Sequence, residues 1–145
     1  MRLTTFTDYT FRVLIYLGLH PDTLATVGEL ADCYDISRNH LTKVVHYLGQ
    51  NGYIETLRGK GGGIKLALKP EVIQIGVLVR DTEKNSLLVE CFSMEQCHCK
   101  IVPACRLTGI LLEAQQAFFQ VLDRYTLNDL IQDRTKLEAL LTIKS

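Results

Sequence analysis

Residues 35–48 have the sequence DISRNHLTKVVHYL, which predicts a tight turn followed by an amphipathic helix. Ser37 is a favoured N-cap residue because its hydroxyl accepts a hydrogen bond from a backbone N–H in the first turn. Apolar side chains then recur at helical spacing at Leu41, Val44 and Leu48, and together they form one face for burial. The stretch is therefore predicted to contain the second helix of a helix-turn-helix pair.

The segments on either side complete a winged helix-turn-helix. Upstream, Thr7 to Leu19 has helical periodicity, and Thr26 to Glu29 form a capping-box pattern that opens a short helix. Downstream, two strand-like runs, Tyr53 to Leu57 and Ile64 to Leu68, flank the sequence RGKGGG at residues 58–63. A glycine-rich link between two such runs indicates a β-hairpin. We therefore predict a three-helix head with a small β-wing whose tip is basic.

The exposed residues of this predicted head match the chemistry of DNA recognition. In a winged helix-turn-helix the first turn of the third helix enters the major groove, where Arg pairs with guanine and Asn with adenine. The wing tip offers cations to phosphates or to a narrow minor groove, and its glycines permit close approach to the duplex. We predict DNA contacts from Ser37, Arg38, Asn39, His40 and Lys43 on the helix, and from Arg58 and Lys60 on the wing.

The charge of the chain supports DNA binding only through its distribution. The 145 residues include 16 Lys and Arg and 16 Asp and Glu, so the formal net charge is zero. Residues 36–70 contain six Lys or Arg and the single acid Glu55, whereas residues 71–145 contain eight basic and ten acidic side chains. A locally basic strip favours contact with phosphates. Without that strip, a polar helix face would be equally consistent with simple exposure to solvent.

The rest of the chain divides into a loop and a helical region. Residues 84–105 show no regular period, whereas Arg106 to Tyr125 have a strong helical pattern of apolar side chains. The predicted fold is mainly α with a small β-wing: a winged helix-turn-helix DNA-binding region at 1–83, a loop at 84–105, and a long dimerisation helix with C-terminal helices at 106–145. Packing within one subunit would explain the same apolar pattern. The candidate dimer contacts are Phe118, Phe119 and Leu122.

Four of the five cysteines lie in this loop with the spacing C-x5-C-x-C-x5-C, at Cys91, Cys97, Cys99 and Cys105. Thiolates are soft ligands that suit zinc or iron–sulfur clusters, and clustered cysteines in a reduced compartment indicate metal rather than disulfides. The CxxC pairs that are typical of zinc sites are absent. Three cysteines around one cluster would leave an iron with a different ligand, which gives the lability that a sensor needs. Residues 84–105 are thus predicted to bind a cluster, with free thiols or structural zinc as the alternatives.

The sequence also excludes several classes of protein. The N-terminus lacks the basic and apolar regions of a secretory signal, and no run of about 18 apolar residues predicts a membrane span. We therefore expect a cytoplasmic protein with no membrane partner. No CxxC precedes a helix, as a thiol redox enzyme would require. Residues 59–63 join two strands and do not present a helix N-terminus to a nucleotide phosphate, so the chain is predicted not to be an enzyme.

Several motifs resemble the Rrf-type iron–sulfur winged-helix regulators, and the resemblance covers essentially the whole chain. The motifs are LTTFTDY at 3–9, SRNHL at 37–41, RGKGGG at 58–63 and PACRL at 103–107. The resemblance implies a homodimer that binds double-stranded operator DNA and holds one iron–sulfur cluster per subunit, with 4Fe–4S favoured over 2Fe–2S. It also implies repression of nitric-oxide detoxification genes, relieved when nitric oxide attacks the cluster.

The same resemblance implies the residues of the cluster site. The family's ligands match Cys91, Cys99 and Cys105. Cys97 departs from the three-cysteine pattern and is an alternative to Cys99 as the middle ligand. Members of the family place an aspartate from the N-terminal helix of the partner subunit near the open iron, and the matching residue is Asp8. The fourth ligand is therefore expected from Asp8 of the partner subunit.

Asp8 and Arg12 are four residues apart on the first predicted helix, so they share a face and can pair. This spacing suggests a switch in which Asp8 binds the partner's cluster when it is present and pairs with Arg12 when it is lost. After cluster loss, the third helices of the two subunits would no longer be held about 34 Å apart, which is the spacing of consecutive major grooves. Alternatively, Asp8 is an early-helix acid favoured by the helix dipole. Rival functions are a regulator of the same fold that responds to iron–sulfur supply or redox state, and a winged-helix protein with structural zinc.

Overall fold

The computed structural model describes residues 1–142, which are mainly helical with one small sheet. The strands β1 (Ile54–Leu57) and β2 (Gly63–Leu66) form an antiparallel hairpin. The predicted fold class, a winged helix-turn-helix followed by a long helix, is confirmed. In chain order the helices are α1 (Thr5–Leu19), α2 (Val27–Tyr34), α3 (Arg38–Gln50), α4 (Ile75–Thr82), α5 (Arg106–Leu122), α6 (Leu127–Leu130) and α7 (Arg134–Leu141).

The helix-turn-helix forms from local signals in its own sequence. In the capping box of α2, the Thr26 hydroxyl accepts the Glu29 N–H at 3.1 Å, and the Glu29 carboxylate accepts the Thr26 N–H at 2.7 Å. Asp35 ends α2 in the left-handed region with a φ of 52°. Ser37 then caps α3 by accepting the His40 N–H at 3.4 Å. These caps fix the short turn between the two helices.

One hydrophobic core joins the three helices of the head to the C-terminal end of the chain. Leu127 of α6 is fully buried in this core. The guanidinium of Arg134 in α7 donates to the carbonyl oxygens of Leu19, at 2.5 Å, and Gly18, at 3.2 Å. The short helices after α5 thus return to the head. The side chains of the head that are at most 1% exposed include Leu14, Leu17, Leu30, Leu41 and Leu48.

The wing is shorter than predicted and is tied to the head. Each strand has four residues, and an isolated bridge pairs Ala25 with Ile64. A Cβ on Gly62 would lie 2.1 Å from the Leu57 carbonyl oxygen, and one on Gly63 would lie 2.7 Å from the Ala25 carbonyl oxygen. These two glycines are therefore required by the fold of the wing itself, which is a role distinct from the predicted approach to DNA.

The loop at 84–105 is irregular, as predicted, apart from two 3₁₀ turns at Glu90–Phe92 and Val102–Ala104. For the helix before this loop the sequence predicts Val77 to Glu83. In the structure α4 begins two residues earlier, because Ile75 N–H bonds to the Tyr125 carbonyl at 3.0 Å and Ile75 itself is buried. The long helix α5 ends at Leu122, and none of its residues is buried in the single chain. No helix in residues 1–142 is long and apolar enough to cross a bilayer.

Candidate nucleic-acid interface and cysteine loop

The residues predicted to read DNA bases lie together on the solvent face of α3. The opposite face is buried in the core, so the orientation of the helix is fixed. The Ser37 hydroxyl is engaged in the cap, and the imidazole of His40 lies 6.0 Å from the Tyr9 ring, centroid to centroid. This packing holds the first turn of α3 against α1. The exposed side chains of this face are Arg38, Asn39, His40 and Lys43.

The side chain of Arg38 lies across the first turn of α2. A Cβ placed on Gly28 would be 3.3 Å from an Nη atom of Arg38 and 3.4 Å from its Cζ. The Arg38 carbonyl accepts the Thr42 hydroxyl at 2.8 Å. Gly28 thus leaves room for the Arg38 guanidinium beside the exposed face of α3, a role that sequence reasoning missed. The glycine two residues into a helix was the available signal, because Gly is unfavourable there without a packing reason.

The wing tip presents the two predicted cations to solvent. Arg58 and Lys60 are both exposed in the turn between β1 and β2. Gly59 and Gly61 alternate with them at φ values of 97° and 75°, a region that side chains other than glycine rarely adopt. The turn therefore depends on its glycines for shape and on its cations for charge.

The four loop cysteines are all half-exposed, and in the described part of the chain each is a free thiol. Within residues 1–142, no three Cys, His, Asp or Glu side chains lie close enough together to hold a metal ion. One chain alone therefore does not gather these donors into a finished site. Binding of a metal would have to draw the loop together, as is common where metal binding is coupled to folding.

Thr108 in the first turn of α5 connects two of the predicted ligands. Cys91 Sγ lies 3.4 Å from the Thr108 hydroxyl oxygen, within hydrogen-bonding distance. Cys105 occupies the N-cap position of α5, although its sulfur accepts no capping hydrogen bond. The nearby backbone N–H groups of Thr108 and Leu107, followed by the Thr108 hydroxyl, lower the pKa of the Cys105 thiol. Sequence reasoning missed Thr108, although its place three residues after a helix-capping cysteine was a usable signal.

This donor set fits an iron–sulfur cluster in its chemistry. Such clusters require thiolates, and the backbone N–H groups and the dipole at the N-terminus of α5 favour the thiolate form of Cys105. Cys91 contacts Thr108 in the first turn of the same helix, whereas Cys97 and Cys99 lie elsewhere in the irregular loop, both partly buried. The cysteines are therefore chemically suited to an iron–sulfur cluster, although the loop does not bring them together in the single chain.

Asp8 lies in the first turn of α1 and forms the ion pair that its spacing predicts. Arg12 Nη2 is 2.9 Å from Asp8 Oδ2, and both side chains are about half-exposed, at 41% for Arg12 and 51% for Asp8. The Arg12 guanidinium also lies 5.7 Å from the Tyr9 ring centroid and 5.8 Å from that of Tyr34. These two rings hold Arg12 in reach of Asp8.

The apolar pattern of α5 divides into two faces. Phe119 lies under the guanidinium of Arg80, 4.6 Å from ring centroid to Cζ, and Arg80 makes two 2.6 Å hydrogen bonds to Asp123. Phe118, Phe119 and Leu122 are half-buried on this side of the helix. The adjoining side carries an exposed stripe at the 3- and 4-residue spacing of a helix-packing seam. We call it the α5 stripe: Leu107, Ile110, Ala114, Ala117 and Val121.

The model of the Rrf2 family, described as an iron-dependent transcriptional regulator, matches residues 3–133. The chain belongs to the Rrf2 family. Its Rrf2 relatives include the HTH-type transcriptional regulator NsrR of Shouchella clausii (strain KSM-K16), which is 52% identical over 146 residues that cover 100% of this chain and 98% of that protein. NsrR of Halalkalibacterium halodurans is 51% identical over 145 residues, 99% of each chain. The resemblance read from the sequence is confirmed.

Solved structures of Rrf2-like regulators share the fold. Staphylococcus aureus CymR in its oxidized form superposes with a TM-score of 0.71 at 24% identity, covering 91% of this chain and 97% of that one. At this identity the likeness supports the architecture alone. The relatives are named as transcriptional regulators, which agrees with the prediction that this Rrf2 protein is not an enzyme.

Proposed function

We propose that the chain is a homodimeric, DNA-binding repressor that senses nitric oxide through an iron–sulfur cluster held by the loop at 84–105. The observation that carries the proposal is that two expected ligands meet the start of α5: Cys105 is its N-cap residue, and Cys91 Sγ lies 3.4 Å from the hydroxyl oxygen of Thr108 in its first turn. Two expected ligands thus lie beside the first turn of α5, in the loop that joins the DNA-reading head to the α5 stripe. A change in this loop acts directly on the elements that determine the separation of two heads in a dimer.

The proposed DNA contacts follow from the exposed face of α3 and the wing. Arg38 and Asn39 would read base edges in the major groove, because their side chains make bidentate hydrogen bonds to guanine and adenine. Ser37, His40 and Lys43 are exposed beside them, and Arg58 and Lys60 on the wing are exposed to phosphates. In a dimer joined through the α5 stripe, the two α3 helices would enter major grooves about 34 Å apart.

Cys91, Cys99 and Cys105 would hold the cluster, with Cys97 as the alternative to Cys99, and Asp8 of the partner subunit would complete the set. When bound, an iron–sulfur cluster, favoured here as 4Fe–4S, supplies iron that reacts with nitric oxide. The thiols are half-exposed, so a small effector has access to this loop. The NsrR names and the family description support a regulatory role of this kind.

The ion pair between Asp8 and Arg12 is the arrangement proposed for the cluster-free protein. Its two exposed partners contribute only a few tenths of a kcal/mol to the stability of α1. Asp8 therefore leaves Arg12 at little cost when a stronger partner is available. Arg12 keeps its contacts with Tyr9 and Tyr34 in either state, so Asp8 is the moving member of the pair.

The experiment begins with anaerobic purification, an absorption spectrum, and iron and sulfide analysis of the wild type. Binding is then measured with and without nitric oxide on a fluorescent duplex selected by the wild type from a random-sequence library, called here the operator duplex. Asp8→Ala should alter the cluster spectrum and weaken the nitric oxide response. Asp32→Ala, which removes an exposed acid from α2, should match the wild type.

Two results would contradict the proposal. If Asp8→Ala keeps both the spectrum and the nitric oxide response of the wild type, Asp8 is not a ligand. If the anaerobic wild type is colourless and contains one zinc per chain, the cluster itself is excluded.

The description of the family as iron-dependent favours a second candidate, a regulator of the same fold that answers to iron–sulfur supply. For that function, affinity for the operator duplex would follow the cluster content of the protein. Nitric oxide at amounts comparable to the cluster would then leave the bound complex intact, which separates the two candidates.

A further inference from the structure

Glu83, the residue that follows α4, is bonded to the beginning of α1. Its Oε1 accepts the backbone N–H of Thr4 at 2.7 Å and the Thr4 hydroxyl at 2.8 Å. It also accepts the hydroxyl of Thr7, which is fully buried and contacts the Thr82 hydroxyl at 2.9 Å. Three donors from α1 thus converge on one carboxylate oxygen, 76 to 79 residues away along the chain.

The same residue also holds the first residues of the cysteine loop. The Ser86 N–H donates to the Glu83 carbonyl oxygen at 2.8 Å. The Glu83 N–H bonds to the Val79 carbonyl at 2.9 Å, which fixes Glu83 to the end of α4. Glu83 therefore joins three segments, namely the start of α1, the end of α4 and the start of the loop.

The residues just before α1 face the loop across an open groove. A groove of about 540 Å³ lies between them, lined by Leu3 on one side, Leu88 and Phe92 of the loop on the second, and Phe118 of α5 on the third. Because this space is open, apolar packing does little to transmit a displacement of the loop to α1. The hydrogen bonds of Glu83 are a direct connection between the start of α1 and the residue before the loop.

We propose that Glu83 is a positioning residue that couples the turn carrying Asp8 to the cysteine loop of the same chain. A displacement of Thr4 also displaces Asp8, because the Asp8 N–H donates to the Thr4 carbonyl oxygen at 3.1 Å. The inference rests on the proposed function, in which each subunit gives its cysteines to its own site and Asp8 to the partner's site. Glu83 then links the two sites of a dimer, since it ties the Asp8 that one site uses to the loop that forms the other.

The carboxylate is suited to this role in its ionised form. Burial raises the pKa of Glu83, but the hydrogen bonds from Thr7 and Thr4 outweigh burial and hold the pKa below its usual value. Hydrogen bonds to a charged acceptor are about twice as strong as neutral ones. Glu83→Gln keeps the shape and one acceptor oxygen but removes the charge, so it weakens the connection without leaving a cavity.

The first test is hydrogen exchange on full-length protein from which the cluster has been removed with a chelator. In Glu83→Gln, peptides from residues 2–9 and from residues 83–92 should both exchange faster, by about tenfold or more, because both lose a charged anchor. The matched control is Glu138→Gln, which removes the same charge from an exposed pair with Arg134 and should leave both peptides unchanged. Faster exchange in residues 2–9 alone would show a simple helix cap and overturn the proposal, as would no change in either peptide.

The second test is the ratio of affinities for the operator duplex with and without cluster. This ratio should fall about fivefold or more in Glu83→Gln, the lower end of allosteric coupling, and should stay at the wild-type value in Glu138→Gln. A wild-type ratio of one would refute the proposed sensing function, while the exchange result would still decide the coupling. A normal ratio in Glu83→Gln would refute the positioning role while leaving the sensing function intact.

Discussion

Substitution of Ile110 by Glu on the α5 stripe should weaken the homodimer without unfolding the subunit. Ile110 is 57% exposed in the single chain, and none of the residues of α5 is buried there. A carboxylate at this position is therefore well solvated in the monomer. In a dimer joined through the stripe it would be placed in an apolar seam, where an unpaired charge is costly.

The expected loss of dimer stability follows from the exposed fraction of the Ile110 side chain. Full burial of an isoleucine side chain stabilises by about 1.5–3 kcal/mol, and 57% of Ile110 is still available for burial in a dimer. Each chain then loses roughly 1–1.5 kcal/mol, so a symmetric dimer loses about 2–3 kcal/mol before any cost of burying charge. At 1.4 kcal/mol for each factor of ten, the dimer dissociation constant should rise about 30- to 150-fold.

Sedimentation over a concentration series measures this constant. The control is Leu140→Glu on α7, which adds the same charge at an apolar residue that is 81% exposed and lies outside the stripe. Ile110→Glu should sediment as a monomer at concentrations where Leu140→Glu and the wild type are dimers. Equal dissociation constants for the two variants would refute the assignment of the stripe as the dimer seam.

Four further substitutions test other parts of the structure. Gly76→Ala should lower the free energy of unfolding by about 1–3 kcal/mol in urea titration, because its Cβ would lie 1.9 Å from Asp123 Oδ1. Thr108→Val should make a chelator remove the cluster about tenfold faster, measured as the decay of visible absorbance. Thr108 contacts the expected ligand Cys91, and loss of a residue that bonds to a metal ligand commonly weakens metal binding by about tenfold or more. Lys60→Ala should weaken binding to all duplexes to a similar extent. It should also reduce the slope of log affinity against log salt concentration, called here the salt slope, by about one. Arg38→Ala should instead reduce discrimination at one base pair by about 1–3 kcal/mol, both being read by fluorescence anisotropy.

The expectations for Gly76, Thr108 and Lys60 each have an outcome that contradicts them. Gly109→Ala is the control for Gly76→Ala, because a Cβ there meets nothing within 4 Å and alanine should stabilise α5 slightly. Equal stabilities for the two alanine variants would refute the steric argument. Unchanged cluster loss in Thr108→Val would remove Thr108 from the site. A salt slope that is the same in Lys60→Ala and the wild type would remove the wing from the DNA contacts.

The sequence predicts well those parts of the fold that short-range interactions determine. The capping box at Thr26 and Glu29 and the cap at Ser37 act over three residues, and all three contacts are present. The boundaries of β2 and α4 were less accurate because long-range bonds determine them. Ile75 N–H, for example, bonds to the carbonyl of Tyr125 on the far side of α5.

Contacts between distant segments left no local signal in the sequence. Nothing in the residues around Glu83 indicates that it accepts hydrogen bonds from Thr4 and Thr7. The periodicity of α5 likewise indicates that the helix has apolar side chains but not which face meets the head. Sequence reasoning named Phe118, Phe119 and Leu122 as candidate dimer contacts, and that stays a prediction. In the single chain Phe119 packs under Arg80, and the exposed stripe lies on the adjoining face. The ligand roles of the cysteines stay predictions.

Titration of nitric oxide into the anaerobic, cluster-loaded protein bound to the operator duplex tests the central claim most directly. Fluorescence anisotropy and visible absorbance are recorded on the same sample. Nitric oxide sensing predicts that the duplex is released as the cluster absorbance changes, at a few molecules of nitric oxide per cluster. If the absorbance changes fully while the duplex stays bound, the cluster does not control DNA binding and the account is wrong.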